Sequence, residues 1–300
     1  MHDDVVVLTD SRWVTLDEQD WYSRQVHHED GLVVDALRRC GLTVSRRAWD
    51  DASVDWHDAG ALLFRTTWDY FDRFGEFSPW LDQVSSETTL YNEAGLLRWN
   101  IDKHYLADLR EARINIVPTC YLEINEPRTL VQAVSDTGWD ELILKPAVSG
   151  SARHTYRFAA SDAARYECVY AELIQQEALM LQPFQHQIVD HGELSLMVID
   201  GQVTHAIRKT AKTGDFRVQD DHGGTVHRYA ASAEEITFAE AAVAAVPFDV
   251  LYARVDVIRD NDGRLAIMEL EMIEPELFFR FNPAAADRLA AGLQRRMNER

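Results

Sequence analysis

The densest chemistry in the sequence lies near its end. Arg254-Val255-Asp256 is followed, after the turn Asp260-Asn261-Asp262-Gly263, by Glu269-Leu270-Glu271. Alternate side chains of a β-strand share a face. Glu269 and Glu271 therefore point one way, and Leu270 and Met272 point the other, into a core. A hairpin closed near Asp262-Gly263 sets Asp256 nearly across from Glu269 and brings three carboxylates onto one patch. Like charges opposed on a sheet cost roughly 0.2–1 kcal/mol when solvated, and about 4 kcal/mol per pair at ~4 Å in a partly buried site. A bound cation removes that cost, and oxygen-only donors suit Mg²⁺ or Mn²⁺ rather than zinc. A solvated acidic strand face with Arg254 as its neutralising neighbour satisfies the same spacing.

Cations sit at equally distinctive places. Lys145 closes a strand predicted over 141–145, and Lys145-Pro146 opens a loop of small residues that includes Ser149, Gly150 and Ser151. Small side chains let backbone N–H groups approach phosphates, with Lys145 and Arg153 as counter-charges; an ordinary connecting loop is the alternative. No Gly-Lys-Ser/Thr follows, so this is not a Walker A loop. Asn100 predicts the N-cap of a helix over 101–112. Lys103 then stands in its first turn, where an acid is ordinarily preferred, and a phosphate partner would explain it. Gln182-Pro183-Phe184 ends a buried strand over 178–184. The proline either frees edge groups for a base such as adenine or simply closes the sheet edge. Arg208-Lys209, Lys212, Arg217 and Gly223-Gly224 make a basic, glycine-bearing loop in an acidic chain. It can close over phosphate or carboxylate or remain solvated.

The elements that must position these groups fall into two textures. Short apolar strands at 5–9, 42–45, 61–66 and 89–91, with helical periodicity at 31–40, predict a parallel doubly wound α/β sheet over about the first 95 residues. Further on, a helix at 162–176 precedes antiparallel strands at 193–199, 203–209 and 225–229, turned at Asp200-Gly201. A helix at 233–246, strands at 252–258 and 265–273 and a last helix at 283–297 complete an α+β body. A chain of 300 residues accommodates about two domains. Its net charge of -20 repels phosphate backbones, so no nucleic-acid partner is expected. No apolar run approaches the roughly 20 residues of a membrane span, and Met1-His2-Asp3-Asp4 lacks a basic secretory start. A cytoplasmic protein without a membrane partner is expected. Cys40, Cys120 and Cys168 have no metal-ligand spacing and read as reduced thiols. His27-His28, His222 and His227 read as surface or structural groups. No Gly-x-Ser-x-Gly surrounds Ser149 or Ser151, and no Gly-x-Gly-x-x-Gly follows the first strand, which argues against an NAD enzyme.

Taken in order, these pieces resemble the ATP-grasp superfamily from about 100 to 282, and residues 5–92 suit its usual front domain. The resemblance implies an ATP-grasp fold with an N-terminal Rossmann-like (pre-ATP-grasp) domain. The division would be 1–95 for the front domain and 96–300 for the ATP-grasp domain, with a small ATP-binding part at about 114–186 and a metal-binding part at 187–300. It further implies that Lys103 and Lys145 neutralise ATP phosphates under a loop of Ser149, Gly150 and Ser151. Gln182 and the backbone near Phe184 would hold adenine, and Glu193 would belong to the nucleotide site. Asp256, Glu269 and Glu271 would bind Mg²⁺ or Mn²⁺, and Arg217, with Arg208 or Lys209, would stabilise the transferring phosphoryl group. Many members carry Asn at the position of Glu271, so this site holds one extra negative charge.

Arg65-Thr66-Thr67-Trp68-Asp69-Tyr70, Arg98-Trp99-Asn100, Gly192-Glu193, Ser195, His205 and Glu274-Pro275-Glu276 are similar to the branch containing the cyclo-ligase of D-cycloserine biosynthesis. That branch implies carboxylate activation as an acyl phosphate, then ring closure of O-ureido-D-serine with release of ADP, phosphate, CO₂ and NH₃. Trp68, Asp69 and Tyr70 follow a strand end, where open sheets bind ligands. They are expected to shape the pocket for a small amino-acid substrate, with Arg65 or Arg73 for a carboxylate. An intermolecular amide ligase of the glutathione synthetase or dipeptide kind is the first alternative. A non-catalytic nucleotide-binding regulator is the second.

Overall fold

The computed structural model describes residues 3–150, 153–212 and 224–299. Four parallel strands, β1 (Val5–Thr9), β2 (Val44–Ala48), β3 (Ala61–Thr66) and β4 (Thr89–Tyr91), form the first sheet in the order β2-β1-β3-β4. β1 and β3 are buried along their whole length, which is why they read as continuous apolar runs. Helix α1 (Trp21–Arg39) begins ten residues before the expected periodic stretch, because Asp20 caps the amides of Tyr22 and Ser23. Helix α2 (Phe74–Glu87) carries Pro79 inside it, a residue that ordinarily argues against a helix.

The single helix expected over 101–112 is instead two. Helix α3 (Ala94–Ile101) ends before a turn at 102–104, and α4 (Tyr105–Glu111) follows. Asn100 is not an N-cap. It lies within α3, donates to the Leu270 carbonyl at 2.7 Å and accepts from the Met272 amide at 2.7 Å. Satisfying a buried strand end outweighs capping a helix. Asp102 accepts from the His104 amide at 3.0 Å, which leaves Lys103 in the turn rather than inside a helix.

The second sheet is antiparallel and holds β5 (Cys120–Leu122), β6 (Glu141–Pro146), β7 (Tyr156–Ala159) and β8 (Leu179–Pro183), in the order β5-β8-β6-β7. Helices α5 (Leu130–Thr137) and α6 (Glu167–Leu173) complete its core of Leu122, Leu142, Leu144, Phe158 and Leu181. The helix expected at 162–176 divides into a 3₁₀ turn, Ala160–Tyr166, and α6. The edge expected at Pro183 is absent. β8 lies between β5 and β6, and Pro183 faces Leu142 in its last register position.

After the short α7 (Gln187–His191) comes a five-stranded antiparallel sheet. It contains β9 (Glu193–Ile199), β10 (Gln202–Thr210), β11 (Thr225–Tyr229), β12 (Tyr252–Arg259) and β13 (Leu265–Glu271), in the order β11-β10-β9-β12-β13. Asp200 and Gly201 turn β9 into β10 with φ of 52° and 74°, the left-handed pair that a two-residue hairpin needs. Helices α8 (Ala233–Ala244) and α9 (Ala284–Asn298) flank this sheet.

One sheet face buries Leu196, Val198, Ala206, Val255 and Leu270 against Ala239, Ala242 and Val243 of α8. The opposite face changes character along its length. At one end Met197, Ile199, Ile207 and Tyr252 merge with Val5, Val7 and Leu63 of the first sheet and Leu289 and Leu293 of α9. At the other end the same face carries charged side chains.

Asn92 and Tyr252 fasten the first sheet to the third. Asn92 donates to the carbonyls of Tyr252 (2.9 Å) and Met272 (2.7 Å) and accepts from the Leu251 amide (2.8 Å). The Tyr252 hydroxyl donates to the Ile273 carbonyl at 2.7 Å. Among the described residues no helix is long and apolar enough to cross a membrane. Asn92→Ala leaves two buried carbonyls and one amide without their partner. It should lower stability by about 2–4 kcal/mol in urea unfolding, whereas a loss under ~0.5 kcal/mol would mean that water or a shifted backbone replaces the clamp.

Candidate active site

The charged end of the five-stranded sheet is assembled by cross-strand register. Asp256 pairs with Glu269 on one side and with Ser195 on the other, Arg254 pairs with Glu271, and Lys209 pairs with Glu193. Period-two alternation turns all seven side chains to one face. Oxygens of Asp256, Glu269 and Glu271 lie within 4.8 Å of one another. The expected convergence of three carboxylates is present.

Cations drawn from several elements balance them. The Arg254 guanidinium donates to Asp256 at 2.9 Å and to Glu271. Lys209 Nζ lies 3.0 Å from Glu193 and 3.2 Å from Asp256. Lys103 Nζ lies 3.1 Å from Glu269 and donates to the Ser149 carbonyl at 2.6 Å. Lys145, on β6, faces the same acids across the cleft and forms no ion pair among the described residues.

The ionisation of these groups follows their surroundings. Burial opposes the charge on Asp256, but Arg254 and Lys209 outweigh it and hold the carboxyl at about 2. Burial likewise opposes the charge on Glu269, and Lys103 and Lys145 bring its pKa below the usual carboxylate value. Glu271 is pushed up to about 7, by burial first and then by Glu269 and Asp256, against the pull of Arg254. Burial raises Glu193 despite Lys209. Lys145 is lowered, by burial first and then by Lys103, against Glu269 and Glu193. The donor set fits a hard divalent cation such as Mg²⁺: three convergent carboxylates, no sulfur or imidazole, and one acid that the protein's own cations leave poorly compensated.

This patch floors a cleft of about 640 Å³ between the second and third sheets. Lys103, Lys145, Ser149, Gly150, Gln182, Phe184 and Glu193 all line it. Its apolar wall includes Val117, Ile143, Phe184, Ile188 and Met268. Gln182 donates to Thr119 Oγ1 at 2.9 Å. The backbone of Phe184 is engaged at both ends, its amide with the Glu141 carbonyl (2.8 Å) and its carbonyl with Asn261 Nδ2 (2.9 Å). The Phe184 amide is therefore committed, while its carbonyl can accept a second bond and its ring carries the Arg157 guanidinium at 3.5 Å. Gly150 is required by packing, because a Cβ there would stand 2.5 Å from Cε1 of Phe71. The 147–150 loop thus rests directly on the segment that follows β3.

Four of the expected residues are placed otherwise. Arg208 is on β10, but adjacent strand residues face opposite ways. Its guanidinium lies 4.5 Å over the Tyr229 ring, on the α8 side of the sheet and away from Lys209. Arg65 is fully buried, donates to the Pro275 carbonyl at 3.1 Å and stacks over Phe279, so it cannot receive a substrate carboxylate. Asp69 accepts from Trp49 Nε1 (2.8 Å) and pairs with Arg73 (2.9 Å). Arg73 also engages Asp50 and Glu76. Trp68 and Tyr70 do line the cleft. Arg217, Ser151 and Gly223 lie outside the described residues.

The sequence reading gave no role to Arg12, Trp13, Tyr22 and Glu274, which also line the cleft. Trp13 and Tyr22 follow β1, so the rule that directed attention to the end of β3 applied equally to the end of β1. Glu274 stands three residues beyond Glu271, past the end of the strand, where alternation no longer assigns a direction.

Folding lowers the Lys145 pKa, so the unfolded chain holds that proton more tightly. The resulting destabilisation is fully present below the folded pKa and disappears as pH rises through the folded and then the unfolded pKa. Lys145→Met should accordingly leave the nucleotide-free protein as stable as wild type or about 1–2 kcal/mol more stable at pH 7, with a flatter alkaline profile. A clear loss of stability in urea unfolding would show that the fold needs this charge.

Residues 5–92 match the family described as the N-terminal domain of D-cycloserine synthetase DcsG, and residues 141–275 match the RimK-like ATP-grasp domain. The cycloserine biosynthesis protein DcsG of Streptomyces lavendulae is 30% identical over 298 residues, covering 93% of this chain and 97% of that protein. The crystal structure of D-cycloserine synthetase DcsG superposes with a TM-score of 0.85 at 27% identity, covering 98% of this chain and 99% of that one. D-alanine–D-alanine ligase from Bacillus anthracis, at 15% identity, shares the fold with a TM-score of 0.66 over 100% of this chain and 99% of its own. Together with the site geometry, the near full-length likeness to DcsG establishes that this chain belongs to the ATP-grasp family, as an ATP-using carboxylate–amine ligase with a RimK-like ATP-grasp domain.

Proposed function

We propose that the enzyme activates the carboxylate of O-ureido-D-serine with ATP and closes it to D-cycloserine. The observation that carries this reading is a cleft lined by two kinds of group. Its lining includes Asp256, Glu269 and Glu271 with Lys103, Lys145 and Lys209, and also the aromatic residues Trp13, Tyr22, Trp68 and Tyr70. The charged set suits phosphoryl transfer and the aromatic set a small amino acid. The name and role of the DcsG relative supply the substrate class.

The apolar slot of Val117, Ile143, Phe184 and Met268 would take the planar base. Lys103 and Lys145 would meet the phosphates beneath Ser149 and Gly150. Asp256, Glu269 and Glu271 would hold Mg²⁺, which would supply neutralisation of the phosphate charge during phosphoryl transfer. The substrate carboxylate oxygen attacks the γ-phosphorus, the bond to ADP breaks, and an acyl phosphate forms. Lys209, held between Glu193 and Asp256, would serve as a fixed cation for the transferring group. The nitrogen bonded to the oxygen of the same molecule then attacks the acyl carbon and phosphate leaves. Water removes the carbamoyl group as CO₂ and NH₃. Intramolecular attack benefits from the proximity that the cleft enforces.

The test is phosphate release from Mg-ATP with O-ureido-D-serine and no added amine, followed by product identification. Equal amounts of phosphate and D-cycloserine are expected. Phosphate release that requires a second amine would transfer the protein to intermolecular amide ligases. Glu269→Ala should lower turnover by about 10²-fold or more; full retention of biological activity in that variant would favour a nucleotide-binding regulator.

A further inference from the structure

Three carboxylates stand at 271, 274 and 276, and their surroundings differ. Glu271 is paired with Arg254. Glu276 is paired with Arg280 at 2.5 Å and accepts from Gln25 at 3.2 Å. Glu274 lines the cleft and forms no ion pair among the described residues. Burial first, then Glu271, pushes the Glu274 pKa well above the usual carboxylate value, so this half-buried carboxyl in a cavity either keeps its proton or gives it up to meet a cation.

The backbone on both sides of Glu274 is held firmly. Trp68 Nε1 donates to the Glu274 carbonyl at 2.9 Å, and Arg65 donates to the Pro275 carbonyl at 3.1 Å. His205 contacts the carbonyls of Leu277 and Phe278, and Glu29 accepts from the amides of Phe279 and Arg280. Anchoring of this density suits a group that must stay in one place. Beside Glu274, Trp13, Tyr22 and Trp68 form a mutually contacting aromatic wall, with ring centroids 5.5–6.3 Å apart.

We propose that Glu274 binds the α-ammonium of the amino-acid substrate while the Trp13–Tyr22–Trp68 wall takes its side chain. This inference rests on the amino-acid reading of the cleft given above. With the carboxylate committed to phosphoryl transfer, three substituents of the α-carbon have three distinct anchors. Three anchors separate one hand of an amino acid from the other, which two cannot do. In the ring closure proposed above, the α-amine takes no part in bond making. The planar ureido-oxy chain suits an aromatic face.

The experiment is calorimetric binding of D- and L-O-ureidoserine to the full chain with Mg²⁺ and a non-hydrolysable ATP analogue, alongside steady-state kinetics. Glu274→Gln should weaken binding of the D form by about 10- to 100-fold, the range of a lost charged hydrogen bond, and reduce the preference for D over L. The KM for ATP should stay within about twofold, and kcat should fall less than the amino-acid KM rises. Glu274→Asp should recover part of the loss. On the wild-type protein, the substrate analogue with hydrogen in place of the α-amine should bind as weakly as the D form binds to Glu274→Gln, a comparison that needs no variant to fold. Unchanged affinity and hand preference in Glu274→Gln, with wild-type binding intact, would overturn this inference alone. Failure of the wild-type protein to bind either hand would overturn the amino-acid reading and this inference with it.

Discussion

The structure depends on one electrostatic problem: four acidic side chains, Glu193, Asp256, Glu269 and Glu271, share one end of one sheet face. At about 4 Å and an effective dielectric near 20, each close pair repels by about 4 kcal/mol. Among the described residues the sheet's own ion-pair partners for these acids are Lys209 and Arg254. Lys103 must come from the turn between α3 and α4 and Lys145 from the neighbouring sheet. Closing the cleft is therefore part of balancing the charge. The walls of the cleft and the neutralisation of its floor are the same contacts, and Lys103 joins both by reaching Glu269 and the Ser149 carbonyl together.

The apolar half of the same face sets the other boundary. Met197, Ile199, Ile207 and Tyr252 bury against the parallel sheet and α9, while Asn92, Asn100 and Tyr252 satisfy strand ends that would otherwise be orphaned. This fixes the carboxyl ends of β1 and β3, with Trp13, Tyr22 and Trp68 beyond them, at the mouth of the charged half. One sheet face, apolar and then charged, thus aligns the aromatic lining of the cleft with its cluster of paired charges.

What could be read in advance follows from the range of the interactions. The pairing of Asp256 with Glu269 is a local hairpin property, and period-two alternation sufficed to find it. The parallel first sheet was legible because buried strands announce themselves as apolar runs. Asn100 and Arg65 were misjudged for the opposite reason. Their partners, Leu270 with Met272 and Pro275, lie 170 or more residues away, and no spacing rule spans that distance. Arg208 was misjudged by taking a basic dipeptide as one unit, although strand geometry sends Arg208 and Lys209 to opposite faces. Glu274 was overlooked because it lies just past the last paired residue of β13, where alternation stops carrying information.

Glu271 brings one more negative charge than an asparagine would, and the register shows how the fold meets it. Arg254 is its direct cross-strand partner and, two residues before Asp256, shares that residue's face. A guanidinium can serve both carboxylates at once because its donors form a planar fork. The Arg254–Glu271 pair restores the charge that an amide would have left, while Glu271 keeps an oxygen within reach of Asp256 and Glu269. A lysine at 254 would supply the charge without the second directed bond. The compensation thus depends on the residue type as well as its position. The burial that lifts Glu271 to about 7 makes this pair the point where the balance is closest. Of the three carboxylates, Glu271 is the one whose charge the protein alone stabilises least, and the one that gains most from a cation beside it.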